Sequence, residues 1–133
     1  VSLIIYPYHA WLLDPYHAWL LDLLGRAGMA DEFDAWKRML VALVAQRGRP
    51  GLVRIIDFSG YNPITTKPVP PAGDTGTEMR WYWEPGHFRP ALGERIIRRL
   101  VGGGEDGFGR ELTPATAEAV IRACGLQRAK SVD

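Results

Sequence analysis

Apolar residues in this chain come as short continuous runs, as stripes at helical spacing, and, over one long central stretch, with no steady period. Leu3-Ile4-Ile5-Tyr6 is a run suited to a buried strand, and the spacing after it predicts a helix over 16–27 that ends at Gly28. Asp31 then reads as the cap of a second helix. In it Phe33, Trp36, Leu40, Leu43 and Val44 recur on one face, a stripe for core packing, and Gly48 closes it. Residues 52–58 read as the next strand, so strand, helices and strand form a crossover unit expected to be parallel and right-handed. Residues 59–90 are rich in proline and glycine and form a long loop of the kind that carries function. Helix resumes over 91–101. A glycine-rich connector follows over 102–112, then a C-terminal segment over 113–125 with Thr113 as N-cap and Gly125 just past the helix end. The class is α/β, and two strands alone leave sheet faces and edges to be covered.

The octapeptide Pro7-Tyr8-His9-Ala10-Trp11-Leu12-Leu13-Asp14 recurs unchanged as Pro15-Tyr16-His17-Ala18-Trp19-Leu20-Leu21-Asp22. Eight residues advance a helix by about two turns plus 80°, so the copies cannot share one buried stripe of a continuous helix. One copy is surplus, a tandem duplication, and Asp14-Pro15 is the helix start that assigns the lasting helix to the second. Duplication also accounts for the pairing of His9 with His17, so no metal is expected there.

At 133 residues and 47% apolar, the chain is one domain or part of one. Sixteen Lys and Arg stand against 15 Asp and Glu, which leaves no electrostatic footprint for nucleic acid. No apolar run reaches the length of a membrane span, so no membrane contact is expected from this chain, which reads as soluble as given. Its one cysteine, Cys124, excludes an internal disulfide. The sequence opens on Val-Ser-Leu-Ile-Ile without an initiating methionine and is expected to be cut from something longer.

The candidate chemistry lies in Trp81-Tyr82-Trp83-Glu84-Pro85-Gly86-His87-Phe88. Here a carboxylate precedes the only unduplicated histidine by three residues, the spacing of an acid–histidine pair in which the acid holds the imidazole tautomer and stabilises the imidazolium. Trp81 and Trp83 offer flat faces to a sugar ring, although in a loop over a small domain such residues more often anchor the loop to the core. The serines are Ser2, Ser59 and Ser131. Ser59 lacks the Gly-x-Ser-x-Gly elbow and reads as a turn residue with Gly60, so the nucleophile is not recognisable in this chain. The arginines Arg95, Arg98 and Arg99 read as a solvated helix face. The glycines from Gly102 to Gly109 lack the Gly-Lys-Ser/Thr of a phosphate loop, so no cofactor is expected.

Two longer strings carry a resemblance. Asp57-Phe58-Ser59-Gly60-Tyr61-Asn62-Pro63-Ile64-Thr65-Thr66 and the stretch from Met79 to Gly93 resemble the C-terminal region of the SGNH hydrolase superfamily. More narrowly, they are similar to bacterial envelope-associated SGNH-like proteins that handle acyl groups on cell-surface polysaccharides. The resemblance implies a partial three-layer α/β/α, flavodoxin-like domain over 1–133, with parallel strands and without its N-terminal part. It implies His87 as general base, with Glu84 where the superfamily usually has aspartate, and Tyr61, Asn62, Trp81 and Trp83 as candidate substrate contacts. The family serine, and the glycine and asparagine blocks that complete its oxyanion hole, have no counterpart here. The implied function is the C-terminal portion of an ester hydrolase or O-acyltransferase, acting on an acyl ester or envelope carbohydrate and expected to be inactive by itself. The parent would be periplasmic or membrane-tethered. The other function class is a non-catalytic remnant or interaction domain, whose exposed sheet edge pairs with a partner or a second copy.

Overall fold

The computed structural model of the protein describes residues 1–7, 20–48, 51–71, 73–84, 87–103 and 107–131. Both histidines of the octapeptide repeat, and most of the repeat itself, lie outside them. Strand β1 (Ser2–Ile5) leads to helices α1 (Leu20–Arg26) and α2 (Ala30–Arg47), then strand β2 (Arg54–Asp57). A hairpin of β3 (Tyr82–Glu84) and β4 (His87–Phe88) follows, then helix α3 (Pro90–Leu100), strand β5 (Arg110–Leu112) and helix α4 (Ala117–Ser131). This is a mixed α/β fold with a small, partly parallel sheet. In it β2 is central, parallel to β1 with Ile4 opposite Ile56, and antiparallel to β5 with Ile55 opposite Leu112. The expected parallel pairing of the first two strands is therefore present.

Alternation along β2 divides the core. Ile55 packs with Ile5, Val41, Leu112 and Ala117, which join the sheet to α2 and α4. Ile56 and Phe58 point the other way, among Trp81, Tyr82, Leu92, Ile96 and Phe108. The pleat sends successive side chains to opposite faces, so both faces of β2 are buried. Strand β1 is an edge, with Leu3 and Ile4 partly open to solvent.

Four sequence expectations need correction. Asp31 does not cap α2. A Schellman turn at the end of α1, with Gly28 at φ +70° and the Met29 N–H bonded to the Leu24 carbonyl at 2.7 Å, delivers the chain straight into a helix whose N-cap is Met29. Asp31 instead sits in the first turn, where its charge suits the helix dipole. Of the predicted stripe of α2, Phe33, Leu40 and Val44 pack against the core, but Trp36 and Leu43 are 42% and 45% exposed, and the buried positions are Asp34, Lys37 and Val41. The last helix begins at Ala117, after a turn that Thr113 caps as expected, its hydroxyl accepting the Thr116 N–H at 3.2 Å and its carbonyl the Ala117 N–H at 2.9 Å, but it runs through Gly125 because a glycine with helical φ need not stop it. Finally, the loop and connector contain strands β3, β4 and β5.

Gly109 precedes β5 at φ +82°, and a Cβ there would meet the Phe58 ring, with Cδ1 at 2.9 Å. Backbone strain and the ring clash act together, so Gly109→Ala should destabilise the fold by about 2–4 kcal/mol. Urea denaturation measures this, and a loss below about 0.5 kcal/mol would show that the Phe58 contact is not tight.

Candidate functional site

Asp57 ends β2 on the face that looks toward α2, and Lys37 is the α2 residue that meets it. The Lys37 ammonium lies 2.7 Å from Asp57 Oδ2 and 2.8 Å from Ser59 Oγ. Ser59 closes the cluster by donating its hydroxyl to Asp57 Oδ1 at 2.6 Å and its backbone N–H to the same oxygen at 2.9 Å. Lys37 is 1% exposed and Asp57 4%. Charges so far from water persist only when paired and hydrogen-bonded, and each member here satisfies another. The Lys37 ammonium also stands 4.7 Å from the centroid of the Phe33 ring one turn earlier. The Ser59 proton is committed to a carboxylate and the ammonium on its oxygen is itself paired. That arrangement holds the loop after β2 in place.

From Ser59 the chain enters a tight turn. Gly60 adopts φ +104°, a conformation that side chains resist, and a Cβ there would touch Cys124 Sγ at 3.4 Å. Asn62 Oδ1 accepts from the N–H groups of Ile64 at 3.0 Å and Thr65 at 3.2 Å. The Thr66 hydroxyl donates to the Asn62 carbonyl at 2.7 Å. Tyr61 is buried with Leu21 and Cys124. These two candidate substrate contacts are thus engaged in forming the turn and the core.

The hairpin carries the acid–histidine motif. Tyr82 pairs with Phe88 and Glu84 with His87, so Trp83 is the extra residue of a bulge and Glu84 and His87 are ladder neighbours. His87 is exposed. Two contacts fix the hairpin to the end of β1: the buried Tyr82 hydroxyl donates to the Pro7 carbonyl at 2.7 Å, and Tyr6 stacks on Phe88 at 5.2 Å between centroids. Burial raises the Tyr82 phenol above its ordinary range, which keeps it a neutral donor. The tryptophans differ. Trp81 is buried, with the Arg80 guanidinium 4.6 Å and the Arg95 guanidinium 5.3 Å from its ring centroid, and it anchors the loop. Trp83 is 61% exposed with Arg89 4.0 Å from its centroid, and it is the one with aromatic surface to offer a ligand.

Ser59 and His87 thus lie on separate elements, with Tyr6 common to both surroundings. It stacks on the residue beside His87, and it lines a cavity of about 260 Å³ that Ser59 also lines. Both elements sit beyond the carboxyl ends of the parallel strands, where open α/β sheets place ligands. Lys37 and Asp57 escaped sequence reading. The available signal was that Lys37 falls three residues after Asp34 and four before Val41, within one helical stripe. Among the described residues no group of three or more His, Cys, Asp or Glu is placed to hold a metal ion, and no helix is long and apolar enough to cross a membrane. Comparison of the chain with family models, with curated proteins and with solved structures finds no match.

Replacing Asn62 by alanine removes the acceptor of two backbone donors in the turn, so Asn62→Ala should cost about 1–2 kcal/mol. Asn62→Asp keeps the acceptor and should retain most of the stability. Equal losses for the two variants in urea denaturation would contradict the role given to Oδ1.

Proposed function

We propose that this chain is the C-terminal portion of an SGNH-like ester hydrolase or O-acyltransferase, part of a three-layer α/β/α, flavodoxin-like domain, with Glu84 and His87 as its acid–histidine pair. The observation that supports this reading most is the hairpin ladder, which makes Glu84 and His87 neighbours on a hairpin tied to the carboxyl end of β1. In this reading the nucleophilic serine comes from outside the chain. His87 takes the serine proton as the serine oxygen bonds to the ester carbonyl carbon, and Glu84 stabilises the imidazolium. Collapse of the tetrahedral intermediate breaks the bond to the leaving alkoxide, which receives the proton from His87. Water or a sugar hydroxyl then takes the acyl group from the serine by the same steps in reverse. Exposed Trp83 is the aromatic surface on this hairpin suited to a carbohydrate acceptor.

A second reading, a non-catalytic interaction domain, is favoured by the edge of β1, which no other described strand pairs and where Leu3 and Ile4 are partly exposed. Activity separates the two. In a protein that joins this chain to its serine block, His87→Ala should lower turnover of an acyl ester by on the order of 10³-fold or more. Turnover indifferent to that substitution would sink the assignment of His87. The 133-residue chain alone should not exceed the buffer rate; turnover by it that Ser59→Ala abolishes would move the nucleophile to Ser59.

A further inference from the structure

The cavity beside Ser59 is lined almost wholly by apolar side chains among the described residues. Its floor is Ile5 and Leu21, both buried; its walls are Tyr6 and Phe33; its rim is Ile4 and Trp36, both partly exposed. At about 260 Å³ it exceeds the roughly 150 Å³ of an apolar cavity that takes up benzene. By contrast, the depression of about 410 Å³ along residues 67–82 is lined by Lys67, Asp74, Glu78 and Arg80, charges of both signs.

Among the described lining residues, the polar side-chain groups are the Ser59 hydroxyl, the Tyr6 phenol and the Trp36 indole N–H. The Ser59 hydroxyl donates to Asp57 and accepts from Lys37, and those two charges pair with each other. The charged cluster behind this end of the cavity is therefore neutral in sum and internally satisfied. A ligand carboxylate entering here would lose its hydration with no cation among the described lining residues to meet it, whereas an uncharged chain would lose only its contact with water. The opposite wall matters as well. Tyr6 stacks on Phe88, the neighbour of His87, so the cavity adjoins the hairpin that carries the acid–histidine motif.

We propose that this cavity is an acyl-chain pocket, taking the straight aliphatic chain of an uncharged ester and disfavouring the free carboxylate. The proposal rests on the reading of the chain as part of an acyl-ester protein, but its readout is binding. Each methylene drawn out of water strengthens binding about fourfold, so chain length as well as charge should register in the affinity.

The test is a titration with methyl hexyl ketone, an uncharged and non-hydrolysable stand-in for an acyl ester, followed by methyl NMR of Ile4, Ile5 and Leu21. Saturable shifts are expected, with a Kd on the order of 0.1–1 mM. Methyl butyl ketone should bind at least about tenfold more weakly, and octanoate likewise by about tenfold or more. Trp36→Lys places an ammonium at a partly exposed rim position, so the fold should survive, as far-UV circular dichroism checks. It should weaken ketone binding about tenfold or more. Ile4→Lys does the same from another partly exposed lining position and guards against an effect peculiar to Trp36. His87→Ala should bind the ketone unchanged. Ketone binding without any ester turnover in the serine-bearing protein would keep the pocket and remove the catalytic reading. No saturable shift, shifts confined to other methyl groups, tighter binding of octanoate, or binding that both rim variants leave intact would overturn the proposal. A dimer in sedimentation that Trp36→Lys dissolves, with no ketone bound, would overturn it too and make this face an interface between copies.

Discussion

The buried pair of Lys37 and Asp57 is the interaction on which the arrangement of the site depends. It is the point where α2 is fastened to the carboxyl end of β2, and it joins two charges that are both nearly inaccessible to water. Desolvating them is costly, and that cost is offset only while each remains bonded to the other and to Ser59. The pair therefore specifies one position of α2 along the sheet. Sliding the helix would leave an uncompensated charge inside the protein. Because Ser59 completes the cluster through both its hydroxyl and its backbone N–H, the chain leaves β2 in one direction only, into the Gly60 turn and the Asn62 side-chain bonds.

From that fixed point the rest of the site follows by packing. Phe58 faces away from the ion pair and joins Trp81, Tyr82 and Phe108 in the larger core cluster. Tyr82 reaches across to the Pro7 carbonyl, and Tyr6 stacks on Phe88, so the hairpin is held at the end of β1 from two sides. The polar cluster, the apolar cavity and the acid–histidine hairpin thus form a continuous region at one end of the parallel strands. An apolar chain in the cavity would lie beside the hairpin, as the proposed function requires.

Much of this was legible in the sequence where a period was clean. The runs at Leu3 to Tyr6 and at 52–58 showed both parallel strands, and the helical pattern over 91–101 showed α3. Helix α2 was found but turned about its axis. Trp36 and Leu43 are large apolar residues and suggested the buried stripe, whereas a lysine is almost never fully buried unless paired, and nothing local to Lys37 announces a partner at Asp57. A tertiary ion pair overrode the hydrophobic pattern. The hairpin and β5 were missed for another reason: they are only two or three residues long, too short for a period to show, and β5 is held by its register with β2. The Schellman turn hid the start of α2 because Gly28 ends one helix and Met29 opens the next, leaving no place for a side-chain cap. The acid–histidine spacing was visible in the sequence, but that its members are ladder neighbours needed the hairpin.

The most direct test of this account is a double-mutant cycle on Lys37 and Asp57 by urea denaturation, with Lys37→Met, Asp57→Asn and the two combined. Each single change leaves a buried group without its partner and is predicted to cost about 3–5 kcal/mol. The combined variant should cost clearly less than the sum, with a coupling energy of about 2 kcal/mol or more. Losses that simply add, or single variants within about 0.5 kcal/mol of the parent, would contradict the claim that this ion pair sets the position of α2 and of the site built upon it.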